Sequence, residues 1–149
     1  MAIFEAESWF IAEGKHKEHD EEMNRWFKWV NEHQELFPEW KSVRYFEKHA
    51  SGDDSGRRMM IWEYDSFTEY EKYKTRRKDY EGPYKEYKEN DPYYKGVFIH
   101  SRMRVEFWKD LERELWLSLI HISKPTRRTP SSYAVFCLKK KRGGGGGGG

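Results

Sequence analysis

The sequence of 149 residues contains a single cysteine, Cys137, and residues 1–116 contain none. This absence excludes thiol catalysis and thiolate metal sites from that part of the chain. Its glycines lack the spacing of a phosphate-binding loop. No uncharged run is long and apolar enough for a bilayer, and the first residues have neither the basic nor the apolar region of a signal peptide. We therefore expect a cytoplasmic protein with no membrane partner.

Acidic residues are absent from residues 117–149, which hold seven of the 28 basic residues and seven of the 12 glycines. Residues 1–116 consequently carry 21 basic against 26 acidic residues, a net charge of −5 rather than the +2 of the whole chain. The apparent basic balance belongs to the last segment, so we expect no nucleic-acid partner. Most of the aromatic residues, which make up 17% of the sequence, lie in residues 1–116.

The last segment resembles a translated sequencing adapter rather than a protein family. Residues 117–127 and 132–138 match the two adapter ends, and residues 139–149 are a poly-Lys run that passes into poly-Gly. Lys124 and Ser131 depart from the adapter by one base each. We therefore divide the chain into a folded domain, residues 1–116, and a non-native, disordered tail, residues 117–149.

Hydrophobic periodicity within residues 1–116 predicts a mixed fold. Alternation of period two predicts four strands, at residues 3–12, 42–49, 57–65 and 94–108. Spacings of three and four predict helices at residues 15–37 and 66–78 and a short helical turn at 84–90, and residues 110–116 could begin another helix. Ser66 and Glu69 form a capping box at the start of the second helix.

This βαββαβ order predicts an α+β, ferredoxin-like domain with a four-stranded antiparallel sheet. Right-handed crossovers place both helices on one face of the sheet and leave the other face bare. Because a soluble monomer rarely exposes such a broad apolar face, we expect a second copy to cover it. The predicted partner is thus a second copy of the chain, in a homodimer.

The segment from Met60 to Tyr70, Met-Ile-Trp-Glu-Tyr-Asp-Ser-Phe-Thr-Glu-Tyr, resembles the third strand and second-helix entry of the dimeric α/β-barrel superfamily. That group includes antibiotic-biosynthesis-monooxygenase-like, NIPSNAP-like and stress-responsive barrel domains. The resemblance implies two sheets paired into a barrel and a ligand held between sheet and helices. Members commonly carry a helical histidine after the capping segment, where this sequence has Tyr73.

The predicted last strand places His100 and Arg104 on one face. In one interpretation both are interface or exposed side chains that pair with acidic residues of the first strand. In the other, His100 is a catalytic base and Arg104 a ligand-binding residue in a cavity walled by Trp9, Trp62 and Tyr64. An aromatic pocket with a few convergent polar groups is the usual form of a small-ligand site.

The remaining histidines offer weaker candidates. His16 and His19 lie among acidic residues without a third convergent ligand, so we predict no metal site. His33 is a candidate ligand-binding residue at the edge of the first helix, where packing against Trp26 and Val30 is the simpler interpretation. The alternative interpretation is that His33 is an axial ligand to haem.

Three function classes remain open. The first is a homodimeric barrel that binds a hydrophobic or aromatic small molecule, with no cofactor, as a monooxygenase- or isomerase-like enzyme. A non-catalytic, stress-associated binding domain is the second, and a haem-binding barrel is the third. The substrate itself does not follow from the sequence.

Overall fold

The computed structural model describes residues 1–50, 52 and 54–113. Met1–Leu111 form one compact unit. The predicted adapter tail and residues 114–116 lie outside the described residues, and residues 110–113 are irregular rather than helical. No helix in the part of the chain that the structure describes is long and apolar enough to cross a membrane.

The sheet has four antiparallel strands: β1 (Ile3–Trp9), β2 (Ser42–Glu47), β3 (Arg58–Tyr64) and β4 (Arg104–Lys109). Their order across the sheet is β2-β3-β1-β4. The helices are α1 (His16–Glu32), α2 (Phe67–Arg77) and the short α3 (Lys85–Asn90). This is the predicted βαββαβ arrangement, and the helical turn predicted at residues 84–90 is present as α3. The arrangement confirms the α+β, ferredoxin-like fold.

The helices begin and pack as the sequence predicts. In α1, His19, Met23 and Trp26 are buried at spacings of four and three residues, which is one face of a helix. At the start of α2, the Ser66 hydroxyl accepts a hydrogen bond from the backbone N–H of Glu69 at 3.3 Å. Both helices lie on the sheet face that carries Trp9, Trp62 and Tyr64.

The last strand is shorter than predicted, and this prediction was wrong. Ile11 pairs with Phe98 in an isolated bridge, whereas Ser8 pairs with Arg104. The three steps from Ser8 to Ile11 therefore correspond to six steps from Phe98 to Arg104. The three extra residues form a 3₁₀ turn at His100–Arg102. Because three is an odd number, the turn reverses which side chains face the helices, as a bulge does.

The opposite face of the sheet carries no helix. We call it the helix-free face. It carries apolar and charged side chains side by side: Phe4, Arg44, Phe46, Met59, Ile61, Arg104, Glu106 and Trp108. Trp108 is 60% exposed there.

Candidate functional site

A cavity of about 400 Å³ lies between the sheet and the helices. Its floor is formed by β1 and β3 and its cover by α1, α2, α3 and the turns around residues 92–103. Aromatic side chains form most of the wall: Trp9, Trp26, Trp40, Trp62, Tyr64, Tyr73 and Tyr87. Five charged side chains also line it: Glu5, Glu7, Lys74, Arg77 and Asp91.

The aromatic wall is a packed cluster. Trp40 contacts Trp62 and Tyr73 edge to face at centroid distances of 6.1 and 5.4 Å. At the other end, Trp9 stacks on Phe98 at 4.6 Å. Trp9 and Trp62 are only 2% and 7% exposed, so contacts with neighbouring side chains hold their rings in place. A rigid aromatic wall of this kind favours a flat, apolar ligand.

Glu5 lies at the centre of the cavity floor and is almost fully buried. The Tyr64 hydroxyl donates a long hydrogen bond of 3.4 Å to its Oε1, and Lys74 Nζ lies 3.8 Å from its Oε2. Burial raises the pKa of Glu5, and the positive charge of Lys74 opposes that rise. The buried carboxyl therefore has partial compensation from the helix above it.

Glu7 lies two residues further along β1 on the same face, between Met60 of β3 and Val105 of β4. No described residue gives its carboxyl group a hydrogen bond or a close ion pair. Burial, followed by the neighbouring charge of Glu5, raises the pKa of Glu7 to about 7. A carboxyl group with such a raised pKa in an aromatic cavity is a candidate for proton transfer.

Two cations face these carboxyl groups from α2. Lys74 Nζ lies over the rings of Tyr70 and Tyr73 at 5.4 and 5.9 Å, and burial lowers its pKa. The Arg77 guanidinium lies over Tyr73 and Tyr87 at 5.9 and 5.5 Å. Both heads therefore rest on aromatic faces at the cavity. This arrangement suits contact with a negatively charged or electron-rich group of a ligand.

Solved structures with the same fold include NIPSNAP proteins. A NIPSNAP family protein from Agrobacterium tumefaciens superposes with a TM-score of 0.53 at 12% identity over 75% of this chain and 95% of that chain. A NIPSNAP-like domain protein from Burkholderia xenovorans gives 0.51 at 13% identity over 78% and 91%, and an Arabidopsis thaliana protein gives 0.51 at 13% over 76% and 99%. The fold is that of NIPSNAP proteins. The likeness is one of fold, and it agrees with the NIPSNAP-like resemblance.

No protein-family model and no curated protein matches the sequence.

Of the predicted site residues, Trp9, Trp62, Tyr64 and His100 line the cavity. His100 lies at the rim, where its ring stacks on Tyr93 at 4.3 Å and its Nε2–H donates to the Tyr93 carbonyl oxygen at 2.7 Å. In the neutral ring that bond leaves Nδ1 as the acceptor nitrogen. The roles of these four residues in binding or catalysis stay predictions.

Arg104 does not line the cavity, and the prediction that it shares a face with His100 was wrong. Its partner across the sheet is Ser8, which places it on the helix-free face. There it is 63% exposed and lies 3.8 Å from Glu106. The 3₁₀ turn at His100–Arg102 is the reason, because it reverses the alternation between the two residues.

His33 is also outside the cavity lining. It ends α1, stacks on Trp29 at 4.2 Å and donates from Nδ1 to the Trp29 carbonyl oxygen at 2.7 Å. This is the packing role at the helix edge, and the position argues against His33 as a ligand to haem in the cavity. Within the described residues, no group of three or more potential metal ligands occurs.

The sequence predictions missed the charged residues of the cavity. Glu5 and Glu7 were assigned only as possible ladder partners of arginines, although Ile3 and Trp9 flank them on the same face of a strand. Acidic residues at alternate positions between large apolar ones indicate buried carboxyl groups. Lys74 and Arg77 lie three residues apart on a helix and therefore share one of its faces. Their positive charges are opposite to those of Glu5 and Glu7.

Proposed function

We propose that this chain is a cytoplasmic, homodimeric α/β-barrel protein that binds a hydrophobic or aromatic small molecule in the cavity between its sheet and helices. The observation that carries the proposal is the aromatic wall around a volume of about 400 Å³, into which charges converge from two sides. Pockets for small organic ligands have this size and this mixture of surfaces.

The charges favour a ligand with an acidic group. Lys74 lies near Glu5, but no described carboxylate is within ion-pair distance of Arg77. Arg77 can therefore donate two parallel hydrogen bonds to a carboxylate, or one to a phenolate, without first breaking an ion pair. The ligand class is accordingly a flat, aromatic acid or phenol.

The homodimer is supported by the helix-free face. Phe4, Phe46, Ile61 and Trp108 lie there among charged residues of both signs. A two-fold axis brings such a surface against its own copy, so that apolar residues are covered and opposite charges can meet.

Tryptophan fluorescence of the full chain tests the binding proposal. We expect 2-naphthoate to quench the emission saturably, because Trp9 and Trp62 form the cavity wall. Trp62→Phe should remove part of the quenching, whereas Trp108→Phe, on the opposite face of the sheet, should leave it unchanged. Quenching that does not saturate, or that depends on Trp108 and not on Trp62, contradicts a ligand in this cavity.

A further inference from the structure

Glu7 is a charged residue of the cavity whose position is not explained by contacts of its carboxyl group. Its carboxyl has neither a hydrogen bond nor a close ion pair among the described residues, whereas Glu5 beside it has both Tyr64 and Lys74. A carboxyl group that lines a largely aromatic cavity without a hydrogen-bond partner is poorly stabilised when it is ionised. A group held in this way in a cleft is a candidate for chemistry rather than for stability.

The surroundings of Glu7 divide into three kinds. Met60 and Val105 flank it across the sheet and supply no polar atom. Glu5 and Asp91 oppose its ionisation by their negative charges, and Lys74 and Arg77 favour it from α2. With burial as the largest effect, its pKa is raised to about 7, where both the acid and the base are populated at neutral pH.

We propose that Glu7 is the general base of a cofactor-free proton transfer on an aromatic carbonyl compound with an enolisable C–H bond. The inference rests on the proposed function, since it requires that the cavity bind an aromatic ligand. It goes further by naming the residue that reacts and the class of substrate, an aromatic ketone or 2-oxo acid.

The step needs no oxidant, reductant or second substrate. A Glu7 carboxylate oxygen takes the proton from the carbon next to the carbonyl group. The electron pair of the broken C–H bond forms a carbon–carbon double bond, and the carbonyl π pair moves onto oxygen to give an enolate. Glu7, now protonated, returns the proton to carbon or to oxygen, which completes an isomerisation and restores the carboxylate.

Lys74 and Arg77 supply the second requirement of this chemistry. The enolate oxygen gains negative charge as the proton leaves, and preorganised cations in a water-poor site stabilise such charge most effectively. Both lie on α2, opposite the strand that carries Glu7. A base on the floor and cations on the cover can thus contact the two reacting ends of one small ligand.

Phenylpyruvate is a suitable probe, because it combines an aromatic ring, a carboxylate and an enolisable methylene group. The experiment measures exchange of its methylene protons in heavy water by proton NMR, with the full chain present, and its binding by tryptophan fluorescence. The variants are Glu7→Gln and the matched control Glu106→Gln. The control makes the same chemical change on the helix-free face, where Glu106 lies opposite Ala6.

We expect the wild type and Glu106→Gln to accelerate exchange above the buffer rate, with a rate that rises with pH through about 7 and then levels. Glu7→Gln should bind phenylpyruvate but lose about a hundredfold or more of the acceleration, as is usual on removal of a general base. Should Glu7→Gln fail to fold, His100→Gln decides, because His100 is the other candidate base that lines the cavity. Accelerated exchange that persists in His100→Gln with a midpoint near pH 7 supports Glu7, and its loss there overturns the inference.

Two results overturn the inference and are distinguishable. Phenylpyruvate that binds without accelerated exchange, or exchange that survives in Glu7→Gln, leaves the binding proposal intact and removes Glu7 as the base. An absence of saturable binding in the wild type overturns the proposed function itself, and the inference with it.

Discussion

The indole N–H of Trp9 donates a hydrogen bond of 2.9 Å to Nε2 of His19, which is completely buried. Because Nε2 accepts, the ring proton lies on Nδ1, which is 3.0 Å from a carboxylate oxygen of Asp20. Asp20 in turn contacts Arg58 at 3.0 Å. A chain of polar contacts thus runs from the surface to the cavity wall and fixes the orientation of Trp9.

The neutral His19 should make the fold sensitive to acid. Burial is the largest effect on its pKa and lowers it below 6.5. The unfolded chain therefore binds this proton more readily, so the stabilising contribution is complete above about pH 6.5 and is lost as the pH falls through the folded-state pKa. Urea unfolding at several pH values should show this loss in the wild type. His19→Gln, which can still accept from Trp9, should lack that component, whereas His100→Gln at the exposed rim should retain it.

Glu7 should have the opposite effect on stability. Its pKa is raised from 4.5 to about 7, so its contribution is fully present below pH 4.5 and is lost as the pH rises through 7. The slope approaches about 1.4 kcal/mol per pH unit in that interval. Glu7→Gln should therefore unfold at a higher urea concentration than the wild type at about pH 8.5, with a much smaller difference at about pH 5. An equal difference at both pH values is inconsistent with a carboxyl group whose pKa is raised in the folded state.

The helices and strands could be predicted from the sequence because each is specified by a pattern in its own segment. Alternation predicted the positions of all four strands to within a few residues, except at the start of the last, and the Ser66 cap predicted the start of α2. The aromatic wall was also predictable, since Trp62 and Tyr64 lie two residues apart and therefore share one face of β3.

Two features of the site were beyond that reasoning, for different reasons. His100, Ser101 and Arg102 contain neither glycine nor proline, so nothing in them predicts the turn that separates Arg104 from the cavity. The importance of Glu7 depends on what α2 and α3 place above it, and that is a tertiary property. A local pattern can suggest a buried carboxyl, but its partners come from distant segments.

Trp62 should be important for stability. It is 7% exposed at the centre of β3 and contacts Trp40 edge to face. Trp62→Ala should lower the free energy of unfolding by about 3–5 kcal/mol, the usual range for a large aromatic side chain in a core. Trp62→Phe, which keeps one ring in place, should lose considerably less. A loss below about 1 kcal/mol for the alanine variant would show that the cavity already relieves the packing there.

The helix-free face should mediate dimerisation. Ile61 lies in its middle, beside Ala6 and Arg44 in the neighbouring strands. We expect the wild type to sediment as a dimer at micromolar concentration and Ile61→Asp to sediment as a monomer, since an unpaired buried charge strongly disfavours association. Val43→Asp, an equal change on the other face of the sheet, should remain dimeric. A folded wild-type monomer at these concentrations is incompatible with the proposal.

Arg77 and Arg104 provide a comparison of two arginines on opposite faces of one sheet. Arg77 lies over Tyr73 and Tyr87 at the cavity, whereas Arg104 is exposed beside Glu106. Arg77→Gln should weaken the binding of 2-naphthoate by roughly tenfold or more, because a hydrogen bond to a charged group contributes about 1.5–3 kcal/mol. The affinity for uncharged naphthalene should change little. Arg104→Gln should alter neither affinity, and His100→Ala should have a smaller effect, since its ring lies at the rim. Equal losses for Arg77→Gln and Arg104→Gln would place the acidic group of the ligand outside the cavity.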